Sequence, residues 1–414
     1  MIKSMNFFKN KIKFLIIFLA VLIFPISSYT YAYIWSTLDP TALTSALSTS
    51  EVSDDTANPL NLDCGSAILI EQHTGQILYS YNCHESLRPA SVTKLMSIFL
   101  IMESIESGKI TYETKIPCSE NAASMGGSQI WLDSTETLSV DEMLKAICVV
   151  SANDCVTAMA EYLGGTEENF VTMMNDKAKE LGMNDTTFKN CHGIDEDGHV
   201  MSSYDIATLS RALLNTYPEI TKYTTIYMDS LRDGKSSLVN TNKLVRNYNG
   251  CTGLKTGSTS LALYNLSASA SRDGMDLIAV VMKAPTSQLR FKNASSLLDY
   301  GFNNFEYKKL ASAGDIVKSI KVNKGILGSV DAIAENDIGT LISKGNDVNI
   351  EQNISLNDTI NAPVPKGQII GSVTYSLNEE VIGNCNLISS EYVDKLGVFS
   401  MDKLVLKKWL YLLR

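Results

Sequence analysis

A serine and a lysine stand three residues apart where a helix is predicted to begin, in the run Ser91-Val92-Thr93-Lys94. Residues i and i+3 share a helix face, so the Lys94 amine can lie beside the Ser91 hydroxyl. A serine is a poor nucleophile without an adjacent base. A lysine becomes that base when burial or a second cation lowers its pKa. The pair therefore predicts acyl transfer, with Ser91 as nucleophile and Lys94 as general base.

A second polar run, Ser151-Ala152-Asn153, falls at a junction between two predicted helices. Its first and third side chains can face one cleft. A serine hydroxyl can relay a proton, and an asparagine amide can hold a peptide carbonyl or the lysine amine. Alone, such a run is usually a helix cap. Beside Ser91 and Lys94 it predicts a second edge of the same site.

A third run, Lys255-Thr256-Gly257, begins a predicted strand. Lys255 supplies a second cation that can lower the pKa of Lys94, and with the Thr256 hydroxyl it can bind an anionic group. Gly257 leaves room for the backbone of a ligand. A strand edge beside the nucleophile can pair with an extended peptide substrate.

In this order, on helix, loop and strand, the three runs match the motif set of the penicillin-recognising serine enzymes. Over roughly residues 60 to 390 the chain resembles the D-alanyl-D-alanine carboxypeptidases, the low-molecular-mass penicillin-binding proteins. The resemblance implies a transpeptidase/β-lactamase-like α/β domain, a β-sandwich domain and a C-terminal amphipathic anchor. It is carried by RPASVTKLM at 88–96, GGS at 126–128, VSAND at 150–154, MN with KELGM within 174–183, and GLKTG at 253–257.

The resemblance also implies a role for each site residue. Ser91 is the expected nucleophile, Lys94 its base, and Ser151 a proton relay beside Asn153. The implied substrate is a peptidoglycan stem peptide ending in D-Ala-D-Ala, the implied inhibitors are β-lactams, and no metal or organic cofactor is implied. The other implied contacts are Lys255 and Thr256 with the terminal carboxylate, Gly257 beside the ligand backbone, the N–H groups of Ser91 and Ser258 as an oxyanion hole, and Arg290 as a helper for the carboxylate.

Two of these expectations remain open at the level of sequence. Arg290 fits an isolated arginine on a surface helix equally well. After Gly257 the family often has a glycine and a cysteine, whereas this chain has Ser260 and Leu261. That departure leaves strand packing and substrate preference open, but not the chemistry.

Two other functions fit parts of the pattern. A class A β-lactamase has the same motif plan but needs a glutamate that positions a water for deacylation. Glu167 and Glu168 follow the second motif, but we interpret both as exposed acids at a helix start, where the helix dipole favours them. A catalytically idle wall-binding module is the other alternative. The joint presence of all the reactive side chains argues against it.

The remaining pattern predicts an α/β (α+β) catalytic domain over residues 61–306, with helices packed on an antiparallel sheet. Hairpins are predicted at 66–81 and at 263–282, where Asp-Gly between apolar runs favours a tight turn. Helical patterns cover 91–106, 139–163, 166–182, 202–216 and 286–305. Short apolar runs between Gly and Asn turns predict a small all-β sandwich over residues 307–390.

Both ends of the chain differ from this body. Residues 1–32 have lysines, an apolar run and a small residue, Ala32, at a plausible cleavage site, which predicts a signal peptide; an uncleaved anchor is the alternative. Residues 33–60 predict a flexible arm. Residues 391–414 mix lysines with Trp and Leu, which predicts a helix lying on the membrane or docked on the β domain. These features predict an exported protein, peripheral on the outer face of the cytoplasmic membrane, and the net charge of −10 argues against nucleic acid.

The chain contains eight cysteines, and their connectivity cannot be deduced from sequence. One pair is locally plausible. In a hairpin centred on His73-Thr74-Gly75, Cys64 and Cys83 fall opposite each other, at a spacing close to disulfide range. Two reduced core cysteines are the alternative.

Overall fold

The computed structural model describes residues 57–345, 349–377 and 380–397. The helices are α1 (Lys94–Glu106), which follows a 3-10 turn at Ala90–Thr93, α2 (Glu120–Ala123), α3 (Val140–Val149), α4 (Asn153–Gly164), α5 (Glu167–Glu180), α6 (Ser203–Thr216), α7 (Thr221–Thr224) after a 3-10 turn at Pro218–Ile220, α8 (Leu244–Asn247) and α9 (Ser287–Asn304). The strands are β1 (Ser66–Glu71), β2 (Ile77–Tyr81), β3 (Lys115–Pro117), β4 (Thr137–Ser139), β5 (Met228–Leu231), β6 (Ser236–Val239), β7 (Cys251–Thr259), β8 (Leu263–Arg272), β9 (Met275–Ala284), β10 (Phe305–Ala311), β11 (Ile316–Asn323), β12 (Ser329–Ala334), β13 (Ile338–Ser343), β14 (Ile350–Leu356), β15 (Thr359–Asn361), β16 (Ile369–Leu377) and β17 (Glu380–Ser389).

An antiparallel sheet of five strands, in the order β2-β1-β9-β8-β7, forms the centre of the first domain. Both predicted hairpins are confirmed. Asp273 and Gly274 connect β8 and β9 with φ values of +52° and +77°, which suit a two-residue turn whose twist matches the strands. β7 is an edge strand of this sheet, so one side of its backbone is not paired within the sheet.

The two faces of the sheet bury separate apolar clusters. The larger cluster joins β1 and β9 to helices α1 and α3–α6. The smaller cluster joins the opposite face to α9. Because β9 is covered on both faces, it has a nearly continuous apolar sequence from Leu277 to Met282, as expected of a doubly buried strand.

The second domain is built of strands. Six of them form a sheet in the order β14-β16-β17-β12-β11-β15, and β10 pairs with β13 in a separate ribbon. The ribbon and the larger sheet share one apolar cluster, to which Ala311 and Ile338 contribute from the ribbon and Val373 and Leu387 from the sheet. The arrangement agrees with the predicted all-β domain, and its first strand follows directly after α9.

The predicted Cys64–Cys83 bridge is wrong. A bulge at Leu78 of β2, opposite Leu69 and Ile70, shifts the β1–β2 register by one residue. Because neighbouring strand residues point to opposite faces, this shift separates the two thiols. Cys83 lies in the larger cluster and Cys64 beside the smaller one, and the Cys64 thiol forms no disulfide within the described residues.

The predicted arm and tail extend beyond the described residues. Asn58 already belongs to the first domain, because its side chain bonds to both backbone groups of Leu62 and to the Tyr79 hydroxyl. The tail helix predicted over 391–414 is not formed over 391–397, where Val393 and Lys395 make β-bridges to the second domain. Residues 1–32 and 398–414 lie outside the described residues. In the part that is described, no helix is long and apolar enough to cross a membrane.

Candidate active site

The nucleophile candidate lies in the tight turn that leads into α1. Ala90, just before Ser91, has a φ of +50°, in the left-handed region. Gly193 packs directly on this turn, and a Cβ there would come within 1.9 Å of the Ala90 carbonyl oxygen. Strained backbone of this kind persists only when its surroundings enforce it. The turn therefore holds Ser91 in a fixed position, with its hydroxyl 3.0 Å from the amine of Lys94, the first residue of α1.

The amine of Lys94 is fully buried and has three oxygen neighbours. Its Nζ lies 2.6 Å from Oδ1 of Asn153, 2.7 Å from the carbonyl oxygen of His192 and 3.0 Å from Oγ of Ser91. A neutral amine has two N–H donors and one lone pair. The amide and carbonyl oxygens can only accept, so they take both donors. The lone pair is then left for the Ser91 hydroxyl proton.

The pKa of Lys94 is held well below its ordinary value. Burial is the larger cause, and the nearby cation of Lys255 adds to it. Within the described residues no carboxylate forms an ion pair with either lysine. Both predicted causes are therefore present, and the uncharged base form of Lys94 is favoured.

The second motif occupies the predicted helix junction. α3 ends at Val149 and α4 begins at Asn153, while Ser151 adopts a φ of +64° between them. The backbone N–H of Asn153 donates to the Ser128 carbonyl at 2.6 Å, and its Nδ2 donates to Gly126 at 2.7 Å. These contacts turn Oδ1 toward Lys94. The buried Oγ of Ser151 has no hydrogen-bond partner among the described residues, so it is available to a ligand.

The third motif lies in the middle of β7 rather than at its start. Thr256 donates to the Thr241 hydroxyl at 2.8 Å. Lys255 is buried, and burial is the main cause that lowers its pKa, to about 7. A Cβ on Gly257 would come within 2.9 Å of the Ser91 backbone nitrogen. Only glycine therefore allows the edge strand to approach the nucleophile so closely.

The structure places the remaining predicted residues at the same edge strand. Ser258 follows Gly257 and is exposed. Arg290, on α9, is buried, and its NH1 donates to the carbonyl oxygens of Gly257 and Asn265 at 3.2 Å. The alternative of a surface arginine is therefore wrong. Burial lowers its pKa to about 10, and its Nε has no partner among the described residues.

The segment 190–199, which the sequence motifs did not indicate, forms the floor of the site beneath Lys94. Besides the His192 carbonyl, it contributes His199, whose Nδ1 accepts from the Lys189 N–H. Nε2 therefore carries the proton and donates to Thr93 at 2.8 Å. Burial lowers the pKa of His199 to about 4, so the ring is neutral. Backbone acceptors have no sequence signature, and the turn-forming residues Asn190 and Gly193 are the signal that could have pointed to this segment.

One of the two glutamates differs from its predicted position. Glu168 is exposed, as predicted, but Glu167 is half-buried. Its Oε1 accepts from the Cys191 N–H at 3.1 Å and lies 3.6 Å from Nε2 of His192. The carboxylate is engaged with the floor segment, which does not suit the deacylating glutamate of a β-lactamase. No three His, Cys, Asp or Glu side chains in the described ranges are grouped to hold a metal.

Helices on an antiparallel sheet, a serine at a helix start and a buried lysine of lowered pKa beside it define a serine acyl-transfer enzyme of the transpeptidase/β-lactamase type. Comparisons place it more narrowly. The D-alanyl-D-alanine carboxypeptidase family matches residues 53–286, and the C-terminal domain of penicillin-binding protein 5 matches residues 305–395. The chain belongs to the D-alanyl-D-alanine carboxypeptidase family, as its motifs predicted.

Individual relatives agree over nearly their whole length. The D-alanyl-D-alanine carboxypeptidase DacF of Bacillus subtilis is 43% identical over 83% of this chain and 89% of its own. Penicillin-binding protein 5 of Haemophilus influenzae is 31% identical, with a TM-score of 0.70 over 82% of this chain and all of its own. Penicillin-binding protein D2 of Listeria monocytogenes, in an ampicillin-bound form, is 31% identical, with a TM-score of 0.55 over 59% of this chain and all of its own.

Proposed function

We propose that this protein removes the terminal D-Ala from peptidoglycan stem peptides through an ester on Ser91. The observation that carries the proposal is the set of acceptors around Lys94, which directs its lone pair at the Ser91 hydroxyl. The family to which the chain belongs supplies the substrate class, and the ampicillin-bound relative supports the binding of β-lactams at this site.

The chemistry begins when Ser91 Oγ bonds to the carbonyl carbon of the penultimate D-Ala and gives its proton to Lys94. The amide C–N bond then breaks, and the Ser151 hydroxyl relays the proton from Lys94 to the amine of the leaving D-Ala, which returns Lys94 to its base form. Water attacks the ester carbonyl and gives a proton to Lys94. The C–O bond to Ser91 Oγ then breaks, Lys94 returns the proton to Ser91 Oγ, and the shortened peptide leaves. Lys94 therefore acts as base in each attack.

Substrate binding follows from the edge strand. A peptide in extended form can add to the unpaired side of β7, with its terminal carboxylate at Lys255 and Thr256. A negative carboxylate stabilises the charged form of Lys255 and so raises its pKa from about 7. Arg290 donates a hydrogen bond to the carbonyl of Gly257 and so stabilises the strand next to this carboxylate site. The N–H groups of Ser91 and Ser258, beside that glycine, serve as the oxyanion hole.

The cellular location is part of the same proposal. A signal peptide over residues 1–32 exports the chain, and the lysine- and leucine-rich tail, within 391–414, holds it on the outer face of the cytoplasmic membrane. Support comes from the sequence pattern alone. Deleting residues 398–414 should release the active enzyme from membranes, and continued sedimentation with lipid vesicles would contradict this part.

The decisive experiment compares Ser91→Ala with Ser104→Ala. Ser104 is a buried serine on α1 whose hydroxyl bonds to the Leu100 carbonyl, so it is a matched control. We expect Ser91→Ala to lose labelling by fluorescent penicillin and roughly 10⁴-fold or more of D-Ala release from a stem pentapeptide. Labelling of Ser91→Ala at another residue would overturn the assignment. Rapid turnover of a chromogenic cephalosporin by the wild type would favour a β-lactamase instead.

A further inference from the structure

Trp131 combines two features that each oppose folding stability. Its side chain is 77% exposed, and its φ is +55°. A large aromatic side chain stabilises a fold when it is buried, and a bulky residue in the left-handed region is strained. Such an arrangement persists only when neighbouring groups enforce it, and strain of this kind is concentrated at functional positions.

Two charged side chains enforce it. The buried carboxylate of Asp154 accepts from the N–H groups of Ile130 and Leu132, both at 3.0 Å from Oδ2. The guanidinium of Arg232 donates to the Ile130 carbonyl at 2.9 Å and to the Trp131 carbonyl at 3.4 Å. The peptide groups on both sides of Trp131 are therefore fixed, and the indole is presented to solvent on a rigid frame.

This frame is continuous with the reacting centre. Asp154 directly follows Asn153, and the Asn153 N–H donates to the Ser128 carbonyl, three residues before Trp131. Three residues span at most about 10 Å. Trp131 therefore belongs to the same wall as Asn153, and its backbone lies within about 10 Å of Ser128.

We propose that the face of Trp131 binds the diamino-acid side chain that precedes D-Ala-D-Ala in the stem peptide. The proposal rests on the proposed function. That side chain starts about one residue, 3.3–3.6 Å, from the penultimate D-Ala, so a long side chain can reach along this wall, whereas the sugar lies several residues further away. An ammonium on a hydrocarbon stem suits an indole face, which attracts the cation and covers the stem. The exposed carboxylate of Asp133, two residues on, adds negative charge.

The test uses three acetylated peptides ending in X-D-Ala-D-Ala, where X is lysine, side-chain-acetylated lysine or glycine. For Trp131→Gly we expect kcat/KM to fall about five-fold with lysine, as for loss of an exposed cation–π contact. With glycine it should stay within two-fold. Penicillin acylation should be unchanged. Trp131→Phe should keep most of the preference, and Tyr392→Ala, which removes an aromatic side chain that is 56% exposed on the second domain, should keep all of it.

A stability measurement separates binding from a structural role. Glycine relieves the strain at +55°, so Trp131→Gly should have a Tm equal to or above that of the wild type. A lower Tm with equal loss on all three peptides would overturn the proposal in favour of a structural role. Unchanged kinetics on all three, or equal loss for free and acetylated lysine, would also overturn it. A wild type that releases no D-Ala from any peptide would instead overturn the proposed function.

Discussion

Two lysines of the first domain, one buried and one half-buried, have pKa values that are shifted in opposite directions by their neighbours. Outside the cleft, the amine of Lys177 on α5 lies 2.7 Å from a Glu103 oxygen and 2.6 Å from a Glu180 oxygen. Burial alone would lower its pKa, but the hydrogen bonds to the two carboxylates outweigh burial and raise it. In the cleft, Lys94 has only neutral acceptors, and burial together with Lys255 lowers its pKa.

The difference shows how one side chain is made either a structural cation or a base. A paired lysine keeps its proton and contributes modestly to stability. An unpaired buried lysine gives up its proton on folding, which costs free energy at neutral pH. The cleft therefore loses stability where it gains reactivity, and the five predictions that follow test this contrast.

The largest effect is expected for Lys94→Met, which replaces the amine by an apolar chain of similar length. The rate of acylation by fluorescent penicillin should fall roughly 10³-fold, because the general base is lost. Thermal unfolding should show a Tm at or above that of the wild type, since a desolvated amine is removed. Normal acylation would contradict the assignment of Lys94 as the base, and a marked loss of Tm would contradict the stability cost of burying it.

The second prediction concerns pH. Activity should rise with pH as Lys94 loses its proton, and kcat/KM should fall above about pH 7, where free Lys255 loses the charge that binds the carboxylate. Lys255→Arg keeps its charge, so it should weaken the alkaline fall. Initial rates from pH 5 to 10 test both limbs, and a flat profile would contradict the assignment of both lysines.

The same lowered pKa predicts a trend in stability. The unfolded chain binds a proton at Lys94 up to its ordinary pKa of 10.5, whereas the folded chain releases it at lower pH. Between those two values the unfolded state holds more protons, so stability rises with pH. Urea unfolding of the wild type should follow this trend more steeply than that of Lys94→Met.

Arg290→Gln should have a smaller effect. Loss of a buried cation behind Gly257 should raise KM for a stem pentapeptide about ten-fold, with little change in kcat, because the carboxylate corner is weakened in ground and transition states alike. Arg290→Lys should recover only part, since lysine cannot reproduce the planar contacts. A change in kcat alone would show that Arg290 acts on the chemical step instead.

The smallest effect is expected for Lys177→Met, which lies outside the cleft. Its D-Ala release should stay within two-fold of the wild type, while its free energy of unfolding falls by about 1 kcal/mol or less, because its two carboxylate partners remain partly exposed to water. Chemical denaturation measures the second value. A change in the pH profile of this variant would mean that the two regions are not independent.

The sequence by itself determined the reactive chemistry, the hairpins and the two kinds of domain. These follow from local rules. Ser91 and Lys94 lie side by side because three residues make about one helical turn, and Asp273-Gly274 favours a two-residue hairpin turn. The tertiary structure alone decided the burial of Lys94 and Arg290 and the position of the His192 carbonyl in the active site. It also decided the hydrogen bonds that fix the backbone at Trp131. Those depend on neighbours distant in sequence, and a backbone acceptor leaves no trace in residue type. The one-residue bulge in β2 belongs to the same group, because register is set by packing on both faces of the sheet, and it separated Cys64 from Cys83.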